Sequence, residues 1–139
     1  MRSWQLIGKH RICIEQDVVY VVIQGDIQGD EVVTLCEELT QVQRQYGLVF
    51  DILDATAAGG MSAEARRQVG EWYRQNHLEI EIAVFGASLL LRTLFSLMTN
   101  ALRMLSRNHL LMHFVATEGE AKAWVAERRD KKHATAGSR

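Results

Sequence analysis

The chain has 139 residues, 47% of them hydrophobic and 24% charged, which fits one globular domain with a real core and excludes intrinsic disorder. A formal net charge of -1 excludes a global basic field, so no nucleic-acid partner is expected. Two cysteines, Cys13 and Cys36, exclude a disulfide-rich scaffold and have no paired metal spacing. Residues 1–10 contain no long apolar stretch, so no signal peptide is expected and the expected location is cytoplasmic. Proline is absent, and glycine does most of the punctuation. Residues 130–139 carry no large apolar side chain, so the expected organisation is a single domain over 1–130 and a flexible tail over 131–139.

In chain order, Ile12 and Ile14 and then Val18, Tyr20 and Val22 alternate with other residues on either side of Glu15-Gln16-Asp17, which predicts two strands in a hairpin. Gly25 and Gly29 flank the next break. Val32, Leu35, Cys36, Leu39, Val42 and Tyr46 then recur at helical spacing, with Asp30 and Glu31 at the end that favours negative charge and Gly47 where a helix would stop. Leu48-Val49-Phe50-Asp51-Ile52-Leu53-Asp54 is a near-continuous apolar run ending in carboxylates, which predicts a buried strand followed by a loop over 55–61. Ser62 is a natural N-cap for a second helix with Ala65, Val69, Trp72 and Tyr73 as its apolar stripe. Residues 79–85 alternate and then become wholly apolar, which predicts a strand closed by Gly86. A third helix is predicted from about Ser88 to Arg107, a strand over 110–115, and a last helix opened by Thr117 and Glu120 at capping-box spacing. Strands alternating with helices require right-handed crossovers and parallel pairing, whereas the hairpin must be antiparallel. The fold class is therefore α/β, an open mixed β-sheet with an initial antiparallel hairpin, then mostly parallel strands, and four helices.

Few residues offer chemistry. His109 and His113 are four apart, but no cysteine or acidic cluster stands near them, so no metal is expected. There is no nucleophile elbow, and Cys13 and Cys36 sit within apolar patterns as packing residues. Gly25-Asp26-Ile27-Gln28-Gly29 and Gly59-Gly60 read as turns, because neither has the spacing of a phosphate-binding or dinucleotide-binding loop, and no cofactor is expected. Asp51 and Asp54 end the central strand, where open α/β sheets bind ligands, so they form a candidate ligand or ion site; the plainer reading is that they cap loop amides. Ser62 lies at the same edge, either as a helix cap alone or as a phosphorylation switch meeting free backbone amides. The third helix holds more apolar residues than one stripe needs. Leu91, Leu94, Phe95, Met98 and Leu102 form its candidate apolar-ligand or dimer surface, with Arg92 and Arg103 at the rim. No uninterrupted run reaches a transmembrane length, which leaves peripheral membrane contact open.

Three stretches carry a family resemblance. One is the 48–54 run, its loop, and Ser62-Ala63-Glu64-Ala65-Arg66-Arg67. Another is Ile82-Ala83-Val84-Phe85-Gly86 leading into a long apolar helix, and the third is Phe114-Val115-Ala116-Thr117-Glu118-Gly119-Glu120-Ala121-Lys122-Ala123-Trp124-Val125. Over about residues 10–129 the layout resembles the STAS domain, named for sulfate transporters and anti-sigma-factor antagonists, in its SpoIIAA-like branch, which is distantly similar to the CRAL-TRIO lipid carriers. The resemblance implies a non-catalytic domain that binds protein partners, nucleotides or apolar ligands. In the bacterial antagonists a serine at the start of the helix after the central strand is phosphorylated. The usual Asp-Ser is replaced here by Ala55-Thr56-Ala57-Ala58-Gly59-Gly60-Met61-Ser62, and Ser62 is the nearest positional candidate. The expected function is a regulatory interaction module that binds a protein partner, a small ligand or itself as a homo-oligomer. The alternative is a carrier or sensor of an apolar, lipid-like ligand with a peripheral membrane role. An enzyme using Asp51 or Asp54 would need an oriented nucleophile and base, which the sequence does not display.

Overall fold

The expected hairpin turns at Gln16-Asp17, with Gln16 in the left-handed region (φ 56°), and pairs Cys13 with Tyr20 and Glu15 with Val18. The computed structural model describes residues 3–105 and 109–137. Its elements are β1 (Gln5–Ile7), β2 (His10–Glu15), β3 (Val18–Ile27), α1 (Gly29–Tyr46), β4 (Val49–Met61), α2 (Ala63–Gln75), β5 (Ile80–Phe85), α3 (Leu89–Leu105), β6 (Leu110–Val115) and α4 (Glu118–Gly137). The six strands lie in sequence order, β1-β2-β3 antiparallel and β3-β4-β5-β6 parallel. The chain thus has the expected α/β class and mixed sheet.

The three parallel steps all advance in one direction. A right-handed crossover then places every connecting helix on the same face. Accordingly Cys36, Leu39 and Val42 of α1, Val69 and Trp72 of α2, and Leu91, Phe95 and Leu102 of α3 share one core with Val19, Val21, Val49, Ile80, Ile82 and Val84 of the sheet. The other face carries Val18, Tyr20, Phe50, Ile52 and Ala83 under Ala121 and Val125 of α4. Successive residues of each strand alternate between the two cores, as the pleat requires. Gly47 ends α1 in the left-handed conformation (φ 85°), its N–H donating to the Gln43 carbonyl.

The structure departs from the sequence reading at three places. An additional strand, β1, pairs with β2 through Leu6 and Arg11; Leu6 is exposed, so no burial period marks the strand. The segment 55–61, expected as a loop, continues β4 and pairs with β3 as far as Ile27 and Met61, across two bulges. Alanine, threonine and glycine give that stretch no apolar period, yet Ala55 is buried and the β3 backbone supplies the hydrogen bonds. A Cβ on Gly59 would come 2.2 Å from Asp26 Oδ1 and 3.0 Å from the Asp26 nitrogen, so only glycine fits this close approach. Finally, α4 does not stop near residue 130. It runs to Gly137 because its second half is pinned to the sheet. The expected end of α3 at Arg107 lies outside the described residues.

The pin is ionic. Glu81 on β5 is fully buried under α4, with Arg128 Nε 2.5 Å from Oε1 and Arg128 Nη2, His109 Nε2 and Lys132 Nζ at 3.0, 3.0 and 3.1 Å from Oε2. Arg129 grips Asp17 of the hairpin turn through Nε at 2.9 Å and Nη2 at 2.5 Å, and its guanidinium lies 5.6 Å from the Phe50 ring centre. Burial alone would raise the Glu81 pKa. The hydrogen bonds from Arg128, His109 and Lys132 outweigh it and hold the carboxyl at about 2. The carboxyl is thus more acidic folded than unfolded. Its stabilising contribution is complete above its ordinary value of 4.5 and is lost as the pH falls towards 2. Glu81→Gln should lower stability at neutral pH by roughly 2 kcal/mol, less than for a fully enclosed pair because its partners reach solvent. The same variant should flatten the acid limb of the urea midpoint between pH 4.5 and 2; an unchanged acid limb would remove Glu81 as the anchor.

Candidate functional site

The α1–α3 layer does not seal completely against the sheet. Between them lies a cavity of about 130 Å³, walled by strand residues such as Val21 and Ile82, by Cys36 of α1, by Tyr73 of α2, and by Phe95 and Leu102 of α3. Its accessible lining is overwhelmingly apolar; the polar side chains that border it include His10, Arg11, Glu31 and Thr99, with Asp51 at its floor.

Asp51 follows Val49 and precedes Leu53 on the same pleat face of β4, in register with Val19 of β3 and Ile82 of β5. A carboxyl at that position must point under the helices. It is 2% exposed, and its Oδ1 has no hydrogen-bond partner among the described residues. Burial raises its pKa to about 8, so the group is mainly protonated at neutral pH. Its electrostatic reach identifies its neighbours. Burial, then Asp51, pushes the Cys36 thiol up to about 12, and burial, then Cys36 and Asp51, pushes the Tyr73 hydroxyl well above its ordinary value. Cys36 is therefore no nucleophile.

Asp54 does not join Asp51. The two alternate to opposite faces of β4, and the strand runs on to Met61, so they do not form the expected paired site at a strand end. Asp54 Oδ1 accepts from the Thr56 N–H at 2.9 Å, a local cap of the kind the plainer reading gives. Ser62 Oγ accepts from the Ala65 N–H at 3.0 Å and caps α2, and its side chain is exposed at the helix start.

On α3 the apolar surplus is present, but on a different face from the expected one. Leu91, Phe95 and Leu102 are buried core, and Leu94 and Met98 are half-buried at its margin. The exposed side chains are Leu89 and Leu90 at the start, then Leu97 and Met104. Arg92 and Arg103 are both engaged within the chain. Arg92 lies 5.8 Å from the Phe114 ring centre, and Arg103 Nε donates to the Leu110 carbonyl at 2.8 Å. His109 pairs with Glu81 and His113 stacks on Trp124 at 5.2 Å, so each has a partner other than a metal. Among the described residues no cluster of three His, Cys, Asp or Glu could hold a metal ion, and no helix is long and apolar enough to cross a membrane.

The sequence reading missed one polar pair at the cavity's edge. His10 is buried, and its Nδ1 accepts from the Gln24 N–H at 3.0 Å. The proton must therefore sit on Nε2, which donates to Glu31 Oε1 at 3.0 Å. Glu31 Oε1 also accepts from the Gln28 N–H at 2.9 Å, so one carboxylate fastens the first turn of α1 to β2. His10 shares the alternation of Ile12, which was the available signal.

Two outcomes check this geometry. An acid whose pKa is higher in the fold stabilises fully below its unfolded value, here 3.8, and that contribution drains as the pH rises to the folded value of about 8. Asp51→Asn should therefore gain stability relative to the parent on the order of 1.4 kcal/mol per pH unit between pH 4 and 8. Parallel urea midpoints for the two proteins would contradict a buried, neutral Asp51. Ser62→Ala should cost about 1 kcal/mol, read from the same unfolding curves; no loss would mean that the cap contributes nothing.

No protein-family model and no curated protein matches the sequence. Solved structures do. The anti-sigma factor antagonist SpoIIAA in its unphosphorylated form superposes with a TM-score of 0.52 at 14% identity, over 91% of this chain and 98% of that one. An uncharacterized protein of the DUF3478 family from Shewanella loihica PV-4 gives a TM-score of 0.51 at 14% identity, over 89% of this chain and 94% of its own, and is itself described as having a SpoIIAA-like fold. With the mixed sheet, three helices on one face and a closing fourth helix, the chain has the SpoIIAA-like fold that its sequence pattern resembles.

Proposed function

We propose that the chain is a non-catalytic regulatory module of the STAS type that acts by binding protein, and that the outer face of α3 is the contact. The observation that carries this reading is the spacing of the exposed and half-buried apolar residues. Leu90, Leu94, Leu97, Ala101 and Met104 follow one another at alternating steps of four and three. That is the period of a seam that packs against another helix. Leu90, Leu97 and Met104 are 80%, 64% and 88% exposed, far more than a finished surface needs. Beside the seam, Gly70 of α2 leaves open space, and Arg66, Gly70, Leu94 and Ala101 border a shallow groove that a side chain from a facing helix could enter.

We assign the partner as a second copy of this chain. A single straight apolar strip can pair with itself about a two-fold axis, which makes the contact closed and self-complementary. The likeness to an anti-sigma factor antagonist supports a role in protein regulation in general terms. The chemistry-bearing side chains support a non-catalytic role. Ser62 is engaged as a cap, Asp51 and Asp54 are on opposite faces, and Cys36 is buried with a raised pKa.

Light scattering tests the reading. The parent chain should be a dimer at micromolar concentration and Leu97→Glu a folded monomer, with its circular dichroism and melting profile preserved because residue 97 is exposed. Phe95→Glu, on the buried face, should unfold instead. A monomeric parent, or a Leu97→Glu protein that still dimerises, overturns the assignment.

A further inference from the structure

We propose that the cavity beneath α1–α3 is a binding site for a small, uncharged, mainly hydrocarbon molecule carrying one hydrogen-bonding oxygen, which Asp51 recognises. The inference does not depend on the dimer. It rests on a carboxyl that is 2% exposed, whose Oδ1 lacks a partner among the described residues, set in the floor of an apolar space of about 130 Å³.

Each half of that arrangement is unfavourable alone. A buried polar atom without a hydrogen bond opposes folding. An unfilled space deprives Val21, Ile82, Phe95 and the other wall residues of dispersion contacts. A leucine at position 51 would remove the first cost and reduce the second. A core residue that opposes stability, beside a space that its larger apolar replacement would fill, is the pattern expected where a site trades stability for binding.

The chemistry of the site limits the ligand. Most of its accessible wall is apolar, so most of the molecule must be hydrocarbon. The volume is close to the ~150 Å³ engineered apolar cavity that accepts benzene, so one ring or a short branched chain fits. A cation is disfavoured, because it would bring a charge into the interior and ionise Asp51, leaving two ions to be desolvated. A neutral oxygen leaves Asp51 protonated, with an O–H that can donate to it. Recognition by one buried donor is selective, because an analogue without the oxygen leaves that donor unpaired. Met98, which is half-buried and lines the space, supplies an adaptable wall.

The probes are an isosteric pair, cyclohexanone and methylenecyclohexane, which differ in a carbonyl oxygen against a CH₂ group. Binding to the full chain is followed by calorimetry and by the ¹³C resonance of the Asp51 carboxyl. The parent should bind the ketone at least tenfold more tightly than the alkene, and the ketone alone should move the Asp51 resonance. In Asp51→Leu the preference should vanish, whereas Asp51→Asn, which keeps a donor, should retain most of it. Equal binding of the two probes, or an undiminished preference in Asp51→Leu, overturns the role of Asp51. Absence of binding by either probe overturns the site itself. If Asp51→Leu does not fold, an Asp51 resonance unmoved by a ketone that binds overturns the proposal without that variant.

Discussion

The chirality of the strand connections governs this molecule. Three parallel steps in one direction leave α1, α2 and α3 no choice of face, because only a right-handed crossover returns each helix to the sheet in register. One face is therefore covered by three helices that must pack with each other as well as with the strands. The other receives only α4, whose route is not set by a crossover. Ala121 and Val125 give α4 a narrow apolar contact. The Glu81 cluster and the Asp17–Arg129 pair add direction, fixing its second half over β5 and against the hairpin turn. A fully buried carboxylate is costly in isolation, and here three cationic or proton-donating partners meet its two oxygens.

The same constraint makes α3 a two-sided element. As the last of the three covering helices it packs beside α2, and its outer side chains stay exposed. Its inner residues Phe95 and Leu102 wall the cavity, while Leu90, Leu97 and Met104 form the exposed seam. One rigid helix separates the interior space from the outer contact. Filling the cavity would load Phe95 and Leu102 directly, and a helix transmits such a displacement to its far face as a body.

Much of the architecture was legible because burial imposes periods on the sequence. The hairpin, the four helices and the parallel strands each show alternation or helical spacing, and Gly47 and Ser62 mark ends by conformation and hydrogen bonding. What escaped was structure held without a period. The 55–61 stretch is a strand through its backbone partner, with side chains too small to advertise it. The end of α4 is held by ions that pair far from one another in sequence. The surplus on α3 was visible, but its direction was not. Leu91, Phe95 and Leu102 and the set Leu90, Leu97 and Met104 are both helical stripes, and only the packing of the sheet selects which turns inward. For Asp51 the signal was present in the alternation with Val49 and Leu53, whereas its position before the apparent strand end suggested a solvent-facing role.

Two carboxyls of the sheet show how far environment decides chemistry in this fold. Phe50 pairs with Glu81 and Asp51 with Ile82, so Asp51 and Glu81 stand one step apart on adjacent strands but point to opposite faces. Beneath α4, Arg128, His109 and Lys132 surround Glu81, and it ionises with a pKa of about 2. Beneath α1–α3, burial acts on Asp51 unopposed by any partner, and its pKa rises to about 8. The first group is an anchor because its charge is fully met. The second retains a proton and an unpartnered oxygen against an apolar space. Their surroundings thus push two adjacent acids apart in pKa, and of the two Asp51 alone keeps a buried oxygen without a partner among the described residues.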